Sequence, residues 1–136
     1  MPAIQHIVER ARPGRSVVGW KLSQECRAEL LQRFPPIYSR IVADHVTLAA
    51  KVASDTPTPP ATEASVVGHI NDGEGVEALV VSIDGSTARP DGSTFHITWS
   101  FGDGRQAKES NDVLAAKEWS SLPDPIVIHL RGARFP

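Results

Sequence analysis

Residues 95–101 read Phe-His-Ile-Thr-Trp-Ser-Phe, and the predicted fold is built around them. Polar and apolar side chains alternate strictly along it, which is typical of a β-strand with one face on the core. His96 and Thr98 therefore share one face of the predicted strand, while Ile97 and Trp99 take the other. We expect Trp99 in the core and the polar face free to line a cleft.

A second stretch, residues 44–48, reads Asp-His-Val-Thr-Leu and repeats the His-x-Thr pattern about fifty residues earlier. Here His45 and Thr47 share one face, and Val46 and Leu48 share the other. If the two strands are neighbours, the two imidazoles can serve as acid and base on one substrate, with the hydroxyls holding an anion. The alternative is a pair of solvated strand faces, because Thr is a common strand residue.

The rest of the chain divides into short elements of both kinds. Ser23 is a good N-cap for a helix that ends before Pro35-Pro36. Residues 54–65 are too rich in Pro and small polar residues for a regular element. The other predicted elements are strands over residues 16–22, 65–70, 76–83 and 126–130, and a second helix that is capped by Ser110 and runs to about Trp119.

This order predicts an α+β fold, a single domain with a mostly antiparallel sheet of about six strands and two helices packed outside it. We expect the two His-x-Thr strands near its centre, with residues 76–83 and 95–101 paired as a hairpin. The domain is expected to span residues 16–136. Residues 1–15 would be an N-terminal extension, either frayed or forming a basic lip over an anionic ligand.

Composition limits the partners of the protein. The net charge of −2 and the pI near 6.2 argue against a generic nucleic-acid-binding surface but allow a local phosphate site. The one cysteine, Cys26, has no partner for an intramolecular disulfide. No apolar stretch approaches the length of a membrane span, and no secretory signal is visible at the N-terminus. We expect a cytoplasmic protein, a monomer, with no membrane association.

Several other kinds of catalytic site lack their motifs. No His-Glu-x-x-His or Cys-x-x-Cys pattern is present for zinc, and His69 and His129 are more easily solvated strand residues. No Gly-x-Ser-x-Gly elbow or P-loop exists either. We therefore expect neither a metal nor a cofactor. Two imidazoles with an unperturbed pKa of about 6.5 suit in-line attack on phosphorus, and a strained 2′,3′-cyclic phosphate is a good candidate substrate.

The two motifs, the first followed by Leu48, resemble the 2H phosphoesterase superfamily, which includes RNA 2′,3′-cyclic phosphodiesterases and the phosphodiesterase part of fungal and plant tRNA ligases. The resemblance spans roughly residues 16–130, and residues 100–112 are similar to small RNA-repair-like proteins. Members have two lobes whose motifs face each other across a central cleft. Two differences are evident here: the interval between motifs is short, which implies a more open cleft, and the acidic charge favours a nucleotide or RNA end over long RNA.

The resemblance implies a metal-independent cyclic phosphodiesterase that acts on RNA ends or nucleotides by two-histidine acid–base catalysis. We expect His96 as the base and His45 as the acid, although the sequence leaves the opposite assignment open. The alternatives are a noncatalytic module that binds a nucleotide or RNA end in the same cleft, and a structural domain whose two histidines point to separate surfaces. The expected catalytic residues are His45, Thr47, His96 and Thr98, and the expected substrate-binding residues are Ser100, Arg105 and Lys108.

Overall fold

The computed structural model describes residues 16–135, which contain two helices and one seven-stranded antiparallel sheet. The α+β class is as predicted, and neither helix is long and apolar enough to cross a membrane. The sheet order is β2-β6-β5-β4-β7-β1-β3. The elements are β1 (Ser16–Leu22), α1 (Gln24–Arg33), β2 (Arg40–Ile41), β3 (His45–Val52), β4 (Thr62–Asn71), β5 (Val76–Ser82), β6 (His96–Phe101), α2 (Glu109–Ala116) and β7 (Ser120–Phe135).

The segment that contains β2 and β3 joins the two ends of this sheet. Its first part pairs with β6, and the Val42 and Ala43 N–H groups continue that pairing by donating to the carbonyls of Trp99 (2.9 Å) and Thr98 (3.0 Å). Its second part pairs antiparallel with β1. One segment thus bonds to both edges, so the sheet closes on itself.

Apolar side chains are buried on both faces of the sheet. Along β5, Leu79 and Val81 belong to the larger cluster, which also holds Trp99 and is covered by Leu30 of α1. The alternate residues of β5 pack under α2 in a smaller cluster. Helix α2 therefore covers the face opposite the main core, and that is the face that carries His96 and Thr98. The smaller cluster contains Ile70, Val76, Ala78, Val80, Val113 and Leu114.

Several predicted elements are confirmed. Strand β1 has the predicted bounds, α1 is capped by the Ser23 hydroxyl, which accepts from the Cys26 N–H at 3.2 Å, and β5 and β6 form the predicted hairpin. The prediction that Ser110 caps the second helix is wrong, since α2 begins at Glu109 and Ser110 is fully buried. Strand β7 is much longer than predicted because it pairs with β4 along its first part and with β1 along its last.

The position of the His-x-Thr strands in the sheet also differs from the prediction. Strand β3 is the last strand in the sheet order, and β6 is next to the other end. A single sheet takes the place of the two expected lobes. Because residues 40–52 join the two edges, Cα atoms of β3 and β6 nevertheless lie within 8 Å of one another.

Candidate functional site

His45 is the first residue of β3, and His96 is the first residue of β6. We call the place where these two strands diverge the β3–β6 fork. Ile41 faces Ser100 in the antiparallel pairing of β2 with β6. The β6 pairing ends at Ala43, where the chain turns from β6 to β1, and His45 comes two residues later, near enough to His96 for its charge to act on that imidazole. Val46 and Ile97, which follow the two histidines, are fully buried in the main core. The imidazoles therefore lie on the opposite face of the strands from that core.

His96 is held as a neutral base. Its side chain is buried, and Nδ1 lies 2.8 Å from the Thr94 carbonyl, which can only accept a hydrogen bond. Nδ1 therefore carries the proton, and Nε2 keeps its lone pair. Burial, and then the positive charges of Arg89 and His45, lower the pKa of His96 below its ordinary value of 6.5. At neutral pH, Nε2 is thus free to accept a proton.

His45 is more accessible and has a different partner. Its side chain is one-third exposed, and Nδ1 lies 3.3 Å from an oxygen of Asp44. The ring packs against Phe135 of β7, with 4.5 Å between ring centroids. Because a carboxylate can only accept, it holds the proton on Nδ1 and leaves Nε2 as the atom for proton transfer.

The two threonines are in different surroundings. Thr98 is buried beneath the start of α2, where its hydroxyl lies 2.9 Å from the Ser110 hydroxyl and donates to the Ala107 carbonyl at 3.3 Å. The expectation that this face of β6 is free was therefore wrong at Thr98. Thr47 is half-buried, and its hydroxyl makes no hydrogen bond within residues 16–135. Of the two, Thr47 has the hydroxyl that is free to donate to a ligand.

Replacing Ser110 by Ala is expected to lower the free energy of unfolding by about 1 kcal/mol, because the buried Thr98 hydroxyl loses its shorter hydrogen bond. Urea denaturation measures this directly. The control is Ser121→Ala, at an exposed serine of β7, which should change stability by less than about 0.5 kcal/mol. Equal stability of Ser110→Ala and the wild type would show that the Thr98–Ser110 contact contributes nothing.

The three expected substrate-binding residues lie in different surroundings. Ser100 is fully buried, and its hydroxyl donates to Glu77 at 2.6 Å. Arg105 forms ion pairs with Asp72 and Glu109, both at 3.0 Å, which hold its loop against the β4–β5 turn. Lys108 is exposed just before α2. The side chains of Ser100 and Arg105 are therefore used within the fold.

The structure adds Arg89, which is not among the residues expected at the site. This side chain is 8% exposed, and it contacts both oxygens of Asp91, from Nε at 3.2 Å and from Nη2 at 3.1 Å. Nη2 also donates to the Asn111 side chain of α2 at 3.2 Å. Its one sequence signal is its position between two copies of Asp-Gly-Ser-Thr, at residues 84–87 and 91–94. Asp44, adjacent to His45, was also missed as a partner of that histidine.

A pocket of about 400 Å³ lies on the other face of the same two strands. Leu48 and Phe95 line it, and each is next in sequence to a residue of the two motifs, Thr47 or His96. The indole N–H of Trp20 in its wall donates to the Pro60 carbonyl at 2.9 Å. The pocket wall is mainly apolar and made of Trp20, Leu48, Pro60, Ala61, Thr62, Ile83, Asp84, Ser86, Ala88, Pro90 and Phe95.

No cluster of three or more His, Cys, Asp or Glu side chains that could hold a metal occurs in residues 16–135. No protein-family model, curated protein or solved structure matches the chain. The function of the site therefore rests on its own residues and their geometry.

Proposed function

We propose that this protein is a phosphodiesterase that hydrolyses a 2′,3′-cyclic phosphate on a nucleotide or an RNA end. The observation that carries the proposal is the pair of imidazoles at the β3–β6 fork, each with Nδ1 against an acceptor and Nε2 left for chemistry. Two such groups supply both proton transfers of an in-line displacement, so the reaction needs no metal.

The different surroundings of the two histidines support one division of the acid and base roles between them. His96, whose pKa is lowered by burial and by nearby positive charge, takes a proton from water as the water attacks phosphorus. His45, as the imidazolium, gives a proton from Nε2 to the ribose oxygen that leaves. The P–O bond to water forms as the bond to that ribose oxygen breaks, and the product is a phosphomonoester. In this proposal the Thr47 hydroxyl donates to a nonbridging oxygen.

In this proposal the β3–β6 fork corresponds to the cleft that lies between two lobes in 2H phosphoesterases. Here one side is β3, which has left β6 to pair with β1, and the other is β6 with the loop before it. In this proposal the phosphate lies between His45 and His96, and the ribose and base extend outward over the sheet. A nucleotide or a frayed RNA end fits such an open site better than a long duplex.

The burial of His96 favours a second candidate, a module that binds a nucleotide or an RNA end without turnover. At 7% exposure, His96 leaves little room for both water and phosphate unless the fork opens. Binding of cyclic and linear nucleotides with no conversion would support this function over the first.

The test of the leading proposal is conversion of nucleoside 2′,3′-cyclic phosphates, followed by ³¹P NMR, with and without EDTA. We expect the cyclic phosphate resonance to be replaced by that of a single phosphomonoester at the same rate in both samples. An oligoribonucleotide with a cyclic phosphate end should react likewise, and the same oligonucleotide with a free 3′-hydroxyl should not. A protein that leaves all of these substrates unchanged would contradict phosphodiesterase activity.

The pH dependence of kcat/KM is expected to be bell-shaped. Because the pKa of His96 is lowered below 6.5, the acidic limb should lie below pH 6.5, where protonation removes the base. The alkaline limb should report loss of the proton from the general acid. Rates in buffers of constant ionic strength test this, and an acidic limb centred above pH 6.5 would assign the base to another group.

A further inference from the structure

Arg89 is a buried charged residue that the proposed mechanism does not use. Its guanidinium is fixed by contacts from Nε and Nη2 to Asp91 and from Nη2 to Asn111. The Arg89 backbone is fixed as well, since its N–H donates to the Ser93 carbonyl at 2.8 Å. A planar guanidinium held on two sides cannot rotate freely, so the direction of its remaining donors is set in advance.

The third nitrogen of the guanidinium, Nη1, makes no hydrogen bond to residues 16–135. No buried side-chain nitrogen or oxygen in that range lacks a partner, so Nη1 is not fully buried. Two N–H donors on a preorganised cation form a binding group for an anion.

The same contacts place Arg89 beside the histidine site. Asn111, which holds Nη2, follows Ser110, and the Ser110 hydroxyl is the partner of Thr98. On the other side, Ala88 pairs with Thr94, whose carbonyl accepts from Nδ1 of His96. Arg89 is thus linked to each residue of the second His-x-Thr motif through two intervening residues.

We propose that Arg89 is a substrate-binding residue whose Nη1 donates to the nonbridging oxygens of the phosphate held between the two histidines. Its ligand is a phosphate group, either the cyclic diester or the monoester product. Hydrolysis of the bound phosphodiester rests on the function proposed above. Binding of a phosphate group by Arg89 does not depend on that function. The Asp91 carboxylate keeps the guanidinium in place and is itself half exposed.

The first experiment uses the wild-type protein and follows its ¹⁵N-labelled arginine side chains and histidine rings by NMR. Inorganic phosphate and a nucleoside 2′-monophosphate are added in separate titrations. We expect the Arg89 and His96 signals to shift together and to saturate, while those of Arg33, an exposed arginine paired with Glu29, stay in place. If neither phosphate compound moves the Arg89 signals, the proposal is wrong.

The second experiment compares variants. Arg89→Gln should weaken binding of the 2′-monophosphate by about 10- to 100-fold, because a charge-assisted hydrogen bond is lost. Arg89→Lys keeps the positive charge but lacks the planar guanidinium with its several N–H donors, so it should bind with intermediate affinity. Arg33→Gln is the control and should bind as the wild type does. Wild-type affinity in Arg89→Gln would overturn the proposal; if that variant does not fold, the same criterion applies to Arg89→Lys.

The pKa of His96 in the variant distinguishes phosphate binding by Arg89 from a purely structural role. Comparing phosphate binding with turnover distinguishes the role of Arg89 from the phosphodiesterase function. In Arg89→Gln the pKa of His96 should rise, because the nearby guanidinium charge is gone. An unchanged pKa of His96 would mean that Arg89 has only a structural role. Phosphate binding through Arg89 without turnover of cyclic nucleotides would refute the phosphodiesterase function alone. Turnover with the same KM in Arg89→Gln would refute the role of Arg89 alone.

Discussion

Replacing His96 by Asn is expected to lower kcat for 2′,3′-cyclic nucleotide hydrolysis by about 10²- to 10⁴-fold, the usual contribution of a general base. The Asn amide can still donate to the Thr94 carbonyl, so the contact that positions the side chain survives in part. The lone pair that accepts the proton from water is lost. Initial rates at saturating substrate measure the effect.

The control for this variant is His129→Asn, at a histidine of β7 whose side chain is 66% exposed. We expect wild-type kcat and KM from the control. If His96→Asn keeps more than about a tenth of the wild-type kcat, the base is another group and the two-histidine mechanism fails. His45→Gln should cause a comparable loss through the acid.

The same variant also tests the state of His96 without any substrate. The pKa of His96 is lowered in the folded protein, so below about pH 6.5 the unfolded chain binds a proton that the native state does not. Wild-type stability should therefore fall as the pH drops from about 6.5 toward the folded-state pKa. This part of the pH dependence should be absent in His96→Asn when urea midpoints are compared across that range.

Local patterning was sufficient to predict the strands that carry the site. Strict alternation in residues 95–101 predicts both β6 and the burial of Trp99, and the structure confirms them. The Ser23 cap and the following proline pair likewise predict α1. These elements can be predicted because each is determined by residues close together in the sequence, through side-chain alternation and helix capping.

The closure of the sheet could not be predicted in the same way. It depends on the change of partner at Val42 and Ala43, where the chain leaves β6 for β1. Ala43 takes a φ of 45°, in the left-handed region that an alanine rarely adopts, and no residue type in that stretch indicates it. The surrounding hydrogen bonds impose this conformation, and they join residues more than fifty positions apart in the sequence.

The neighbours of the histidines were missed for a related reason. Arg89, Ser110 and Asn111 reach the second motif only after the 84–95 loop and α2 have packed against β6. In the sequence they look like a turn residue and a helix start. Conversely, Arg105 resembled a phosphate ligand because it is a cation just beyond the strand, and its two carboxylate partners lie elsewhere in the chain.

Replacing Glu77 by Ala is expected to cost about 2–4 kcal/mol of unfolding free energy, because the change leaves buried donors without their acceptor. The Glu77 carboxylate is 1% exposed and accepts from the Ser100 hydroxyl at 2.6 Å and the Ile37 N–H at 3.0 Å. Its other oxygen lies 2.8 Å from Nε2 of His69. Urea denaturation at pH 7 measures the loss.

The chain offers a matched control in Glu63→Ala. Glu63 also pairs with a histidine, His129, but at 3.9 Å and with both side chains about two-thirds exposed. An exposed pair of this kind contributes less than about 1 kcal/mol. Equal losses in the two variants would mean that burial of Glu77 adds nothing to its interactions.

The pH dependence of the Glu77 contribution has a definite sign. Burial alone would raise the pKa of Glu77, but the hydrogen bonds from His69, Ser100 and Ile37 together lower it below 4.5. The stabilisation is therefore present above about pH 4.5 and is lost as the pH falls through the lower, folded-state pKa. Glu77→Gln, which does not titrate, should lack this part of the acid dependence.

Glu77 should also affect the histidine site, because its contacts hold the segment that leads into the fork. Through Ile37 and Ser100 it joins the chain before β2 to β6, and Ser100 is the residue that faces Ile41 in the β2–β6 pair. Loosening that pair loosens the register that brings His45 to His96. We therefore expect Glu77→Ala to lower kcat at temperatures where it remains folded, while Glu63→Ala leaves it unchanged. A folded Glu77→Ala protein with wild-type kcat would show that the fork does not depend on this buried carboxylate.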